Sequence, residues 1–235
     1  MFDIKNKVVI ITGGANGIGA ATVEILLEKE AKVTVLDIDA NSLLKLEEKL
    51  NNKFVKASVK YIKCDITKDN ELYEAFNSVQ KENGQIDIVI NNAAIGQETM
   101  DTYKKLIEVN YTALVTSTLK ALKVMRKDTG GRGGTIKQEY YSITGVRVLT
   151  ICFGATDSNM MPNMKSFDPI IDENMESVSK SYPTQTIWSA AEGVVHVYQN
   201  GTSGDTWLVN GNKPAINITE KVKKAYHILS EDIFP

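Results

Sequence analysis

A short β-branched run, Val8-Val9-Ile10-Ile11, leads directly into Thr12-Gly13-Gly14-Ala15-Asn16-Gly17-Ile18-Gly19, and helix-type sequence follows from Ile18 to Lys29. A continuous apolar run of this length suits a strand buried on both faces, and buried strands of that kind belong to parallel sheets covered by helices. Gly13 has no Cβ to clash in a tight turn. Gly17 lets backbone come close to a ligand, and Gly19 lets the helix pack against the sheet. The free N–H groups and positive dipole end of the helix would then face an anion such as a pyrophosphate. Asn16 and Ile18 complete the turn and count with the three glycines as cofactor-binding positions. A glycine-rich turn alone says little, but one that follows a strand and opens a helix is a phosphate cradle.

The rest of the chain repeats the alternation. Strands are predicted at Lys32–Leu36, Val59–Cys64 and Ile86–Ile90. Helices are predicted at Asn41–Leu50, Glu71–Lys81 and about Thr102–Lys127. Strand–helix alternation argues for an α/β fold of the Rossmann type, a doubly wound parallel sheet in a single domain over residues 1–235. Farther on, Val146–Cys152 and Thr206–Val209 read as strands and Thr186–Tyr198 as a helix. Between them, 157–183 holds Met160, Met161, Met164 and Phe167 with Pro162 and Pro169. That composition suits a flexible apolar substrate lid over a pocket, or an ordinary surface loop with buried methionines.

Asp37 ends the second strand, eighteen residues after Gly19, with Ile38 next to it. A carboxylate there accepts hydrogen bonds from the adenosine ribose hydroxyls and repels a 2′-phosphate, which favours NAD over NADP.

Composition narrows the alternatives. The formal net charge is -2 and no polybasic run stands out, so neither nucleic acid nor an anionic membrane is an expected partner. Cys64 and Cys152 form no C-x-x-C pair, and His196 and His227 are far apart, so no metal site is expected. The charged N-terminal residues do not read as a signal peptide, and no apolar run nears the ~20 residues of a membrane span. The cytoplasm is the expected compartment.

Taken in order, these segments resemble the short-chain dehydrogenase/reductase family, nearest in wording to insect alcohol dehydrogenases and 15-hydroxyprostaglandin dehydrogenases. The turn has the family's Thr-Gly-x-x-x-Gly-x-Gly spacing. Cys64-Asp65-Ile66 is similar to the third-strand end whose Asp contacts adenine. Asn91-Asn92-Ala93-Ala94 is similar to the Asn-Asn-Ala-Gly segment over the adenine ribose, with Ala94 in place of Gly. Glu108-Val109-Asn110 is similar to the mid-helix segment carrying the Asn of the catalytic tetrad. Phe153-Gly154-Ala155-Thr156 is similar to the Pro-Gly-x-x-Thr segment that holds the nicotinamide carboxamide, with Phe153 in place of Pro and Thr156 one residue nearer the Gly. The resemblance implies an NAD cofactor, hydride transfer with a small-molecule substrate that is a secondary alcohol or ketone, and a homo-oligomer.

It also implies a catalytic Ser and a Tyr-x-x-x-Lys pair, and these are missing. None of the nine tyrosines has a Lys four positions on. No Ser-Ser follows Gly133-Gly134-Thr135-Ile136. Geometry locates the loss without reference to any family. Gly134-Thr135-Ile136 begins a strand, Gln138–Thr144 followed by Gly145 reads as the end of a helix, and Val146 starts another strand. A parallel crossover needs at least about ten to twelve residues, helix included, and fewer lie between Ile136 and Val146. One strand–helix unit is therefore expected to be absent near Lys137-Gln138. A splice or gene-model variant, a gap in the recorded sequence, or an NAD-binding pseudoenzyme would each leave this pattern. The sheet would then heal by the Val146–Cys152 strand sliding beside the fourth strand, or it would leave a strand edge open.

Overall fold

In the computed structural model, residues 1–54, 58–131, 133, 141–166, 168, 170, 172 and 182–230 are described. The first half alternates as its hydrophobic pattern requires. In order it comprises β1 (Val8–Thr12), α1 (Gly17–Glu28), β2 (Lys32–Asp37), α2 (Ala40–Lys53), β3 (Val59–Lys63), α3 (Asp69–Asn83) and β4 (Ile88–Asn91). These strands form a parallel sheet in the order β3-β2-β1-β4. The expected Rossmann-type α/β architecture is observed.

β1 shows how the sequence fixes the layers. All five of its residues are buried. Its alternate side chains point to opposite faces, as the strand period requires. Val9 and Ile11 join Val23 and Leu26 of α1 and Leu43, Leu46 and Leu50 of α2 in one core. Val8 and Ile10 join Leu72, Phe76 and Val79 of α3 in the other.

The expected helix over Thr102–Lys127 is divided. α4 (Tyr103–Ile107) and α5 (Leu114–Met125) are joined by a π-helical segment, Glu108–Ala113, that contains Asn110. A single π turn inside an α-helix re-aims side chains without ending the helix, and such turns gather at functional sites.

Beyond Met125 the chain has α6 (Tyr141–Thr144), β5 (Thr150–Phe153), β6 (Thr156–Asp157), β7 (Gln185–Thr186), α7 (Ile187–Asn200), β8 (Thr206–Val209), β9 (Ile216–Asn217) and α8 (Thr219–Ser230). Gly145, at φ +64°, ends α6 in the left-handed region, as its expected C′ position requires. The strand expected from Gly134 and the start of the helix expected at Gln138 lie outside the described residues. The short pair β6–β7, the edge strand β9 and the amphipathic helix α8 were not anticipated. Their strands have two residues each, too short for an alternating pattern to show.

The sheet does not heal by sliding, which corrects that expectation. β5 pairs with β8 and β8 with β9, while among the described residues β4 pairs only with β1. Arg147, just before β5, explains why β5 stays with β8. Its guanidinium is buried, donates to the carbonyls of Tyr198 and Gly201, and stacks 3.3 Å from the ring centre of Phe2. Val148 then bonds Ser203 and Gly204, and Thr150 bonds Asp205. These bonds hold β5 to β8 and to the end of α7.

The consequence is visible in burial. Ile10, Ile11 and Thr12 of β1 are buried, but the register partners Val89, Ile90 and Asn91 of β4 are only partly covered. Three of the four residues of β5 are exposed. Among the described residues one edge of β4 has no partner strand, and Leu114 and Leu119 of α5 are exposed.

Candidate nucleotide site

The turn after β1 has the backbone its glycines permit. Gly13 and Gly17 have φ +62° and +53°, where a side chain is strained. A Cβ on Gly19 would lie 2.3 Å from the carbonyl oxygen of Gly13 and 2.6 Å from Nδ2 of Asn92, so Gly19 is required for close packing. A Cβ on Gly17 would meet only Ser158, at 3.8 Å, across open space. Gly13 and Gly19 thus serve the protein's own packing, while Gly17 keeps clear a cradle that a Cβ would fill.

Thr12, which the sequence did not single out, holds this turn. Its buried hydroxyl accepts from the N–H groups of Asn92 and Ala93, both at 3.1 Å. The Asn92 amide in turn donates to the carbonyls of Thr12 (3.1 Å) and Gly13 (2.8 Å). Asn92 therefore shapes the cradle from behind. Ala94, next along the loop, is exposed.

Asp37 sits where expected, at the end of β2. Its Oδ2 accepts from the N–H of Ala15 at 3.0 Å and its Oδ1 from Asp39 at 3.1 Å. Each oxygen retains lone pairs for further donors. Ile38 beside it is exposed. Asp65 accepts from the backbone N–H and hydroxyl of Thr67. Partial burial raises its pKa, but those two bonds and the charges of Lys68 and Lys105 outweigh that and leave it lowered. Ile66, half-buried behind Asp65, and Val109, buried on the π segment, complete an apolar slot for a flat ring.

Asn110 is placed differently from a free catalytic amide. Its Oδ1 accepts from the N–H of Ile95 and its Nδ2 donates to the Ile95 carbonyl, both at 2.9 Å. It ties the loop after β4 to the π segment. At the far end, Thr156 is buried, and its hydroxyl donates to the Gly154 carbonyl at 3.0 Å. The methionine-bearing segment lies across the opening. Lys165 bonds Gly96 and Glu98, and a Cβ on Gly96 would fall 3.1 Å from both Met160 and Met164. The remainder of 167–181 is largely outside the described residues.

Gly13, Gly17, Gly19, Asp37, Asp65, Asn92, Asn110, Thr156, Met160 and Met164 line one cavity of about 1110 Å³. It runs from Asp37 and Asp65, past Gly17, to Thr156, and continues between β4 and β5. The size and the sequence of surfaces fit a dinucleotide: a ribose acceptor, an apolar slot, a phosphate cradle and a polar far end. Tyr140, one remaining candidate for a catalytic hydroxyl, lies outside the described residues, as does the side chain of Tyr141.

Residues 7–136 match the family described as short chain dehydrogenase. The chain belongs to that family. The match ends at Ile136, where the break in the sequence pattern was located. The 15-hydroxyprostaglandin dehydrogenase [NAD(+)] of Macaca fascicularis is 33% identical over 133 residues, covering 57% of this chain and 49% of the relative. The human enzyme of the same name is 32% identical, with the same coverage. A 3alpha-hydroxysteroid dehydrogenase of Mediterraneibacter gnavus is 30% identical over 134 residues, 54% of each chain. The chain thus spans about half the length of the curated relatives it matches. Among solved structures, levodione reductase superposes with a TM-score of 0.73 at 20% identity, over 90% of this chain and 98% of its own. A 3-ketoacyl-(acyl-carrier-protein) reductase from Brucella melitensis, solved with NADH, gives 0.70 at 16% identity, over 89% and 98%. These two likenesses show the fold. No helix of the described residues is long and apolar enough to cross a membrane.

Proposed function

We propose that this chain binds NAD(H) in the cavity between Asp37 and Thr156 and derives from an oxidoreductase that moves hydride between NAD and an apolar secondary alcohol or ketone. One observation carries the cofactor choice. The Asp37 carboxylate, at the end of β2, is joined to the glycine-rich turn through the N–H of Ala15. A ribose bearing two hydroxyls suits that acceptor, and a 2′-phosphate would place like charge against it. The NAD(+) enzymes among the relatives and the neighbour solved with NADH support the same reading. When bound, the nicotinamide supplies the hydride acceptor or donor. Gly17 and the start of α1 would hold the pyrophosphate, and Thr156 the carboxamide. The apolar methionines over the cavity support an apolar substrate, with segment 157–183 as its lid.

A second reading has a specific observation in its favour. Alcohol oxidation needs a base for the hydroxyl proton. No tyrosine of this sequence has a Lys one helical turn on, so no Tyr–Lys pair supplies that base. As written, the chain is then an NAD-binding protein without turnover.

Calorimetry with NADH and NADPH, together with NADH formation from a panel of secondary alcohols, tests both readings. Micromolar NADH binding, weaker NADPH binding and no turnover are expected. Failure to bind either nucleotide would refute the nucleotide reading. Turnover would refute the second reading and assign the base to another residue.

A further inference from the structure

β4 and β5 each have one edge that pairs with no strand among the described residues. Both strands line the same cavity, which passes between them. Burial falls toward it from either side. Ile10 of β1 is buried while its register partner Val89 of β4 is only partly covered, and Val209 of β8 is buried while its register partner Phe153 of β5 is exposed. Above and below, helices supply apolar walls. Leu26 of α1 and Val195 of α7 line the cavity from one core, and Ala121 of α5 and Val148 line it from the other. The inner part of the cavity is thus a slot with a strand edge on each side and apolar side chains over each face.

Those walls select the occupant. A strand edge carries a row of N–H and C=O groups. An apolar molecule, or a helix whose backbone bonds are internal, would take both rows out of water and leave them unbonded, which is costly for every group. An extended backbone has donors and acceptors along both of its sides and satisfies both rows. The flanking strands, Ile88–Asn91 and Thr150–Phe153, have four residues each, so a strand of about four to six residues fills the slot. Apolar walls on both faces require apolar side chains on both faces of that strand, a continuous β-branched run in place of an alternating one. β1 of this chain has that character, since Val8–Thr12 is buried throughout and paired along both edges. We propose that the slot between β4 and β5 is a docking site for one short apolar β-strand of a partner polypeptide other than this chain, which joins the two parts of the sheet by bonding both edges at once. This docking is independent of what binds beside Asp37.

The probe is a synthetic peptide, Lys-Lys-Val-Val-Ile-Ile-Thr-Lys, which carries the β1 sequence between solubilising lysines. Its control is the same peptide with alternate backbone nitrogens methylated, which keeps every side chain and removes the donors along one edge. Deuterium exchange of the full chain is followed by mass spectrometry at β1, β4 and β5. The unmodified peptide should slow exchange at least about tenfold in both β4 and β5, with one shared midpoint concentration, and leave β1 unchanged. The methylated peptide should need at least about tenfold higher concentration for the same effect. Protection of only one of the two strands would mean ordinary addition to a single edge. Equal potency of the methylated peptide would mean apolar adsorption without backbone pairing. No protection at millimolar peptide would mean that the slot does not admit a strand. Each of these results would overturn the proposal. So would β4 and β5 as protected as β1 in the chain alone, because the slot would already be filled, by a segment of the same chain if light scattering gives a monomer and by a second copy if it gives a dimer.

Discussion

Gly17 and Gly19 are two residues apart in one turn, but alanine at each should damage different properties. At Gly19 a Cβ would fall 2.3 Å from the Gly13 carbonyl oxygen and 2.6 Å from Nδ2 of Asn92, and both neighbours are held in place. Overpacking costs about 1–3 kcal/mol. Displacing Asn92 loses its bonds to Thr12 and Gly13, about 1 kcal/mol each. The better helix propensity of alanine returns about 1 kcal/mol. The net destabilisation is about 2–4 kcal/mol, or roughly 5–15 °C in melting temperature for a chain of this size. At Gly17 a Cβ would come no nearer than 3.8 Å to Ser158, so the protein cost is that of the left-handed backbone, about 1–2 kcal/mol. Its methyl group would, however, project into the phosphate cradle. Gly17→Ala should melt only a few degrees lower yet bind ADP-ribose at least about tenfold more weakly. Circular dichroism melts and calorimetry on both variants decide the matter. Unaltered ADP-ribose affinity in Gly17→Ala, or a larger stability loss there than in Gly19→Ala, would refute the division of labour.

Two further outcomes follow from the same structure. The amides of β4 and β5 that face the gap should exchange with deuterium faster than those of β1 by orders of magnitude, because β1 is paired on both sides and, among the described residues, these edges are not. Equal protection by mass spectrometry would mean that another segment covers the gap. Glu24 is buried on α1 and ion-paired to Lys49 and Lys53 of α2. Burial raises its pKa, but the bonds from the two lysines outweigh that and leave it lowered. A depressed carboxylate stabilises the fold above its unfolded pKa, and that contribution disappears as the pH falls through the folded value. Glu24→Gln should cost about 1–2 kcal/mol at neutral pH, discounted because the lysines are solvated, and close to nothing in strong acid. A pH-independent difference in urea unfolding would disprove the ionic origin.

Much of this protein was legible in its sequence because the signals are local. The apolar run Val8–Ile11, the glycines after it and Asp37 are fixed by backbone sterics and charge within one strand–turn–helix–strand unit, and each lies where its pattern placed it. Counting residues leads to the expectation of a break near Lys137-Gln138, beside the end of the family match at Ile136. What the sequence left open depends on which distant groups meet. The anchoring of β5 depends on Arg147, whose guanidinium finds Phe2 and the carbonyls of Tyr198 and Gly201 far along the chain. Thr12, Asn92 and Asn110 spend their hydrogen bonds on neighbouring backbone, which no residue type announces. Sequence period and steric allowance determine the elements and the glycine turn; the orientation of a hydrogen bond is set by the partner that folding brings to it, and only the tertiary structure supplies that partner.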